Sequence, residues 1–328
     1  EIFSIPYELA VTLTFIIVII YATMGGFSSV TGVAFFQVML IFVVVIVVPP
    51  LVYLKTGISP VYDGMLQFAP EKLDLLLPAG LLFMFGGAMM GIGEVFMDNT
   101  FWQRAYAVRK DQLMKIFSLA GVGWFFIPLA TATLAFVAIG TNQAPEQVNQ
   151  VAPFIAKVYG GNFVSWVFLV GVWSALASTI AAVLNSLVSL ALNDVYKHIN
   201  PNVDDRKLLK VGRVLTVIIG VIALLLSLPK FLTMLQMLIF LGVINAAFVF
   251  PIIYGLFWKK LHSHVSFIAS ILAIIIGYIT YYTVGDLQGV VASGWTSFLV
   301  CWLGSFIKPA NFDWENLYQV GTSKEANK

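Results

Sequence analysis

Apolar residues fall into long runs along this chain, with neither the strict alternation of a half-buried strand nor the one-sided stripe of a helix on a soluble core. A helix needs about 20 mostly apolar residues to cross a bilayer. Nine runs of that kind occur, at 6–24, 33–54, 75–97, 113–140, 163–192, 211–228, 231–257, 265–284 and 290–307. They are hydrophobic all round, as helices surrounded by lipid or by other helices are. The intervals between them are short. The two longest are 55–74 and 141–162, and the second, with Pro145 and Pro153 as breakers, reads as a polar loop. Residues 1–310 form one transmembrane domain in this reading, and 311–328 a polar cytoplasmic tail. The chain opens at Glu1 with no initiator Met, signal peptide or basic lead, which predicts a start inside a longer protein.

Charge tests the count of helices. Basic residues collect on the cytoplasmic side of membrane proteins. Arg104, Arg109, Lys110 and Lys115 follow the third run; Lys197, Arg206, Lys207, Lys210 and Arg213 follow the fifth. Lys259 and Lys260 follow the seventh, and Lys308, Lys324 and Lys328 the ninth. The alternate intervals hold only Lys55, Lys72, Lys157 and Lys230 of the 18 Lys and Arg. Nine helices therefore thread from an outside start to a cytoplasmic end, and a miscounted helix would scramble the alternation.

Composition agrees. Of 328 residues, 60% are hydrophobic and 10% charged, against about 25% charged in a soluble domain. Such a chain cannot cover itself with polar surface, so its solvent is the lipid bilayer. The net charge of +2 is spread over short loops, without the basic cluster of a nucleic-acid protein. The single cysteine, Cys301, lies in an apolar run and excludes an intrachain disulfide and a cysteine metal site. No P-loop, zincin pair or nucleophile elbow is present, and His262-Ser263-His264 sits in a short polar loop. An enzyme is not indicated.

Two places carry candidate chemistry. The third run contains Gly86, Gly87, Gly91 and Gly93, then Glu94. Glycine destabilises a helix interior by about 1 kcal/mol relative to Ala, so four of them predict a break within 86–93, of the kind transporters use to expose backbone groups to substrate. The alternative is that small residues let helices pack closely. Glu94 either faces a cavity, as intramembrane carboxylates do, or sits with Asp98 and Arg104 at the cytoplasmic interface. In the fifth run, Ala175, Ser178 and Thr179 share one helix face at i, i+3 and i+4. A carbonyl and two hydroxyls converging there suit a hard monovalent cation. The alternative is that the hydroxyls bond back to the preceding turn or to a neighbouring helix.

Four segments, in order, resemble the sodium:solute symporter family. Residues 21–37, YATMGGFSSVTGVAFFQ, are similar to its Tyr-x-x-x-Gly-Gly-hydrophobic segment leading to a Gln. Residues 98–110, DNTFWQRAYAVRK, are similar to its Gln-Arg signature; residues 174–197 resemble its ion-site helix ending in Asp-hydrophobic-Tyr; GLFWKK at 255–260 is also typical. The resemblance implies an all-α membrane protein with a five-plus-five inverted-repeat transporter fold, nine of about 13 transmembrane helices being present. The partner that completes it is then the set of missing N-terminal helices of the same protein. It implies a sodium-coupled symporter of the cell (plasma) membrane working by alternating access, with Na+ as coupling ion and a small-molecule solute as cargo. Sodium falls on Ala175, Ser178 and Thr179, and the solute beside Gly91 and Glu94. Where many members carry Asp after the Thr of the second helix, Thr31 is followed by Gly32, which speaks against a second cation there. "VFMDNTFWQRA" and "WFFIPLATAT" look most like the urea-transporter branch. Proline, sugar and carboxylate symporters share the frame, and a symporter-like sensory module of a histidine kinase is the reading of another class.

Overall fold

The structure, a computed structural model, describes residues 5–145, 147–231 and 233–314. All regular structure among these residues is helical: α1 (Tyr7–Thr56), α2 (Ile58–Phe68), α3 (Pro78–Met97), α4 (Asn99–Ala107), α5 (Leu113–Gly140), α6 (Val151–Leu190), α7 (Lys197–Ile199), α8 (Asp205–Ser227), α9 (Met234–Phe257), α10 (Ser263–Thr283) and α11 (Asp286–Ile307), with single 3₁₀ turns between and a π-helical stretch, Ala191–Tyr196, before α7.

Eight of these helices are long and apolar enough to cross a membrane. Two are interrupted. α1 breaks at Gly26, with φ 54° and ψ −136°, and α6 breaks at Gly161, with φ 74° and ψ −170°. Only glycine adopts such angles without strain, and no atom lies within 4 Å of where a Cβ would stand at either position. The demand for glycine is therefore conformational rather than steric. Breaking α1 at Gly26 turns it into two spans, which restores the nine read from the apolar runs. The interval 25–32 is helical apart from Gly26 itself. The two intervals read as long loops also hold helices: α2 lies within 55–74, and the first ten residues of α6 lie within 141–162, with Pro153 in the first turn where no intrahelical N–H is needed.

The chain divides into two compact units. One comprises residues 5–74 and 102–231. In it α1 packs on α6 around Val18, Ala22, Ala177, Ala181 and Leu184, and, further along, around Val44, Val48, Leu134, Ile155 and Phe168 with α5. A Cβ at Gly171 would collide with the Val44 side chain, so glycine sets how closely these helices approach. α8 closes this unit against Ile19, Leu184 and Leu192. Lys230 Nζ stands 4.0 Å from the Tyr7 ring centre, and the Tyr7 hydroxyl donates to the Ser227 carbonyl.

The other unit comprises residues 75–101 and 233–314, with α3, α9, α10 and α11 around Ile239, Val243, Ala246 and Val290. Ser293 Oγ donates to Val243 O at 2.8 Å and Tyr278 OH to Phe240 O at 3.1 Å, satisfying inside the helix packing groups that lipid could not. α9 starts at Met234 rather than at 231 because Thr233 and Gln236 form a capping box there. Pro251 lies within α9 without ending it. Outward surfaces carry many large apolar side chains, among them Phe36, Ile46, Trp124 and Leu225. The polar tail expected over 311–328 is described only as far as 314; residues 315–328 lie outside the described residues.

Candidate functional site

The three oxygens expected to hold a cation lie on α6, in its second half. Thr179 Oγ1 donates to Ala175 O at 3.0 Å, so two of the three stand one hydrogen bond apart. This is the back-bond any Thr can make in a helix. It is also a spacing that suits two adjacent ligands of one cation, since oxygens held about 2.3–2.6 Å from a calcium-sized ion come within about 3–3.5 Å of each other. Ser178 and Ala175 are half-buried and Thr179 is exposed. The helix is fixed around them by contacts to α1. Trp173 Nε1 donates to Thr14 Oγ1 at 2.9 Å, and Tyr21 OH donates to Ala177 O at 3.3 Å. A cleft of about 440 Å³ between α1, α5 and α6 has Ala175 on its wall; its lining is apolar except for Thr131 and Asn149. Further along, Asn185 Nδ2 donates to Gln103 Oε1 at 3.0 Å, which ties the Gln-Arg segment to α6.

The second candidate place differs from its expectation. α3 runs unbroken through Gly86, Gly87, Gly91 and Gly93, so the break expected within 86–93 is not there. Its glycines serve two other ends. Gly86 faces Leu287, and a Cβ at Gly93 would collide with the backbone carbonyl of Asn245, so this edge of α3 is a packing edge against α11 and α9. Gly87 and Gly91 face open space. At i, i+4, i+7 and i+11, Gly87, Gly91, Glu94 and Asp98 form one stripe, in which Gly91 and Glu94 are exposed.

The interruption falls at the end of that stripe. Asp98 leaves the helix with φ −79° and ψ 114°, and α4 begins at the next residue. The Asp98 carboxylate accepts from Thr100 N at 2.7 Å and from Thr100 Oγ1 at 2.6 Å, capping α4 as an N-terminal Asp does. The sequence analysis set Asp98 beside Glu94 and Arg104 at an interface and did not assign it this cap. The signal was available, because Asp-x-Thr directly after an apolar run is a helix-start pattern.

The two histidines flanking Ser263 are also a cap. His262 Nδ1 accepts from His264 N at 3.2 Å at the start of α10. Desolvation, followed by the charges of Lys308 and His264, lowers the His262 pKa. Among the described residues no group of three or more His, Cys, Asp or Glu is placed to hold a metal. The oxygen-only, uncharged set on α6 fits a monovalent cation and not a transition metal.

A family model described as the sodium:solute symporter family matches residues 1–273. The urea-proton symporter DUR3 of Oryza sativa subsp. japonica is 26% identical over 289 residues, covering 79% of this chain. The osmoregulated proline transporter OpuE of Bacillus subtilis is 23% identical over 269 residues, also 79% of the chain. The sodium/proline symporter of Haemophilus influenzae is 25% identical over 341 residues, 98% of the chain. The chain spans 39%, 54% and 62% of the lengths of these relatives. A substrate-bound, outward-open structure of a Na+-coupled sialic acid symporter superposes with a TM-score of 0.70 over 94% of this chain and 69% of that one, at 16% identity, and so shares the fold. With its bilayer-length helices, this chain is a multi-pass integral membrane protein, and it belongs to the sodium:solute symporter family.

Proposed function

We propose that this chain is part of a sodium-coupled secondary active symporter that moves a small polar solute, urea or a similar molecule, across the plasma membrane by alternating access. What carries the reading is the match to the sodium:solute symporter family over residues 1–273, with a Na+-coupled symporter sharing the fold. Ala175, Ser178 and Thr179 lie on one face of α6, where Thr179 Oγ1 makes the back-bond to Ala175 O at 3.0 Å that leaves the oxygen lone pairs free for an ion. Neutral oxygens offer a single positive charge a site whose own charge need not be compensated when the ion leaves. The solute meets the exposed stripe of Gly91 and Glu94 on α3, where the absence of side chains lets it approach backbone and the carboxylate accepts its N–H groups. Urea is favoured over proline or a carboxylate by the Asp98-x-x-x-Trp102-Gln103-Arg104 run and by the similarity to the rice urea-proton symporter.

The test is solute uptake into proteoliposomes as a function of sodium concentration, with N-terminal helices from a relative joined ahead of this chain. Thr179→Ala and Ser178→Ala each remove one neutral ligand. A hydrogen-bond-strength contact to a charge is worth about 1.5–3 kcal/mol, so half-saturation by sodium rises by about ten-fold or more. Thr179→Ser, which keeps the oxygen, stays near the wild type. Equal half-saturation in all variants makes the hydroxyls packing groups and sinks the site. A Hill coefficient clearly above one overturns the single sodium inferred from Gly32.

A further inference from the structure

The opening two and a half turns of α8 carry Arg206, Lys207, Lys210 and Arg213, all exposed, and no ion pair joins any of them to an acid among the described residues. At 100° per residue, Arg206, Lys210 and Arg213 fall within about 60° of one another. They stand across the helix from its packed stripe of Gly212, Leu215 and Ile219, which meets Leu192 and the α1–α6 core. The acids of the same segment lie elsewhere. Asp204 is the cap position and Asp205, on the first turn, falls on the packed side. Directly along the basic strip follow Val214, Val217 and Val221, each 42–57% exposed, on a helix whose remaining length is apolar.

One face of α8 thus presents three cations at the membrane boundary and a continuous apolar surface below them. From this juxtaposition we infer that the Arg206–Lys210–Arg213 strip of α8 is a binding site for an anionic phospholipid, its headgroup phosphate on the basic residues and its acyl chains against Val214, Val217 and Val221. A soluble anion has no use for the valine strip, and a neutral lipid none for the cations. The alternation of basic loops places this end of α8 on the cytoplasmic side, where anionic lipids are concentrated and each Lys or Arg near the surface attracts them. Guanidinium groups of Arg206 and Arg213 can each hold two phosphate oxygens. The inference stands apart from the transport reading, since it involves none of the residues assigned to sodium or solute.

Native mass spectrometry of the purified 328-residue chain, titrated with phosphatidylglycerol or phosphatidylcholine of identical acyl chains, tests it. The wild type binds phosphatidylglycerol about 100-fold more tightly than phosphatidylcholine, each of the three basic residues contributing about five-fold. Arg206→Gln/Lys210→Gln/Arg213→Gln abolishes that preference. Arg206→Lys/Arg213→Lys retains most of it, and Lys259→Gln/Lys260→Gln, on another loop of the same predicted side, retains it fully. Should the triple variant lose its helical circular dichroism, Lys210→Gln alone lowers the preference about five-fold. Equal binding of both lipids by the wild type, an undiminished preference in the glutamine variants, or an equal loss in Lys259→Gln/Lys260→Gln overturns the assignment.

Discussion

Glycine interrupts α1 and α6 but not α3, although α3 has the greater density of it. Single residues, Gly26 and Gly161, carry the breaks in the first two helices, each at positive φ. Four glycines within eight positions leave α3 continuous. The difference is in what the surroundings ask of the backbone. At 26 and 161 the chain must change direction, and the residue with no Cβ takes the strained angles. In α3 the chain stays helical, and the missing side chains admit a neighbouring backbone at Gly93 and leave an open stripe at Gly87 and Gly91. Glycine content gives permission to break a helix; it does not compel one.

Substitution inside α3 separates the two uses most sharply. Gly93→Ala drives a Cβ into the Asn245 carbonyl and costs about 3 kcal/mol or more, at the upper end of overpacking effects because backbone meets backbone. Gly91→Ala meets nothing and gains up to about 1 kcal/mol of helix propensity. Thermal unfolding in detergent, followed by intrinsic fluorescence, should show opposite shifts. Equal shifts would mean that the two edges of α3 are not distinct.

A smaller effect is expected where glycine is conformational. Gly26→Ala and Gly161→Ala each cost about 1–2 kcal/mol, the penalty of placing an L side chain at positive φ. Gly26→Asn costs as much, since Asn tolerates positive φ at ψ of about +30 to +60° and not at ψ −136°. The same unfolding measurement checks this, and an Asn variant clearly better than Ala would show that the break can relax into a left-handed helical turn.

The smallest change is expected at the place where α3 does end. Asp98→Ala removes the acceptor for Thr100 N and Oγ1 and costs about 1 kcal/mol, whereas Asp98→Asn keeps most of the cap. Amide hydrogen exchange over 99–103 reads this locally. Unchanged protection in Asp98→Ala would show that α4 needs no cap there.

The spans themselves were legible from apolar runs, because lipid imposes length and polarity on every helix independently of its neighbours. Residues 113–140 coincide with α5 at both ends. Starts set by a cap were less visible: Phe231 extends the apolar run, but Thr233 and Gln236 set the helix start. The short helices α2 and α4, and the front of α6, lack the bilayer-length run that betrays a span. On α6, spacing puts Ala175, Ser178 and Thr179 on one face and only the family resemblance makes them a cation site; Thr179 Oγ1 makes the back-bond to Ala175 O that any helical Thr can make. The cap at Asp98 was missed because glycine density drew attention to the wrong part of α3, and a break made by a single extended residue leaves little mark in composition.

Cys301, the single cysteine of the chain, is wholly enclosed in α11. In labelling terms the wild type is already a blank, since a thiol must reach solvent as thiolate before it reacts with a maleimide or an alkylating reagent. A cysteine introduced at Gly87 or Gly91 would then be the one group that responds. Its rate of modification in intact proteoliposomes, with and without sodium or urea, would report directly whether water reaches the α3 stripe and whether cargo shields it.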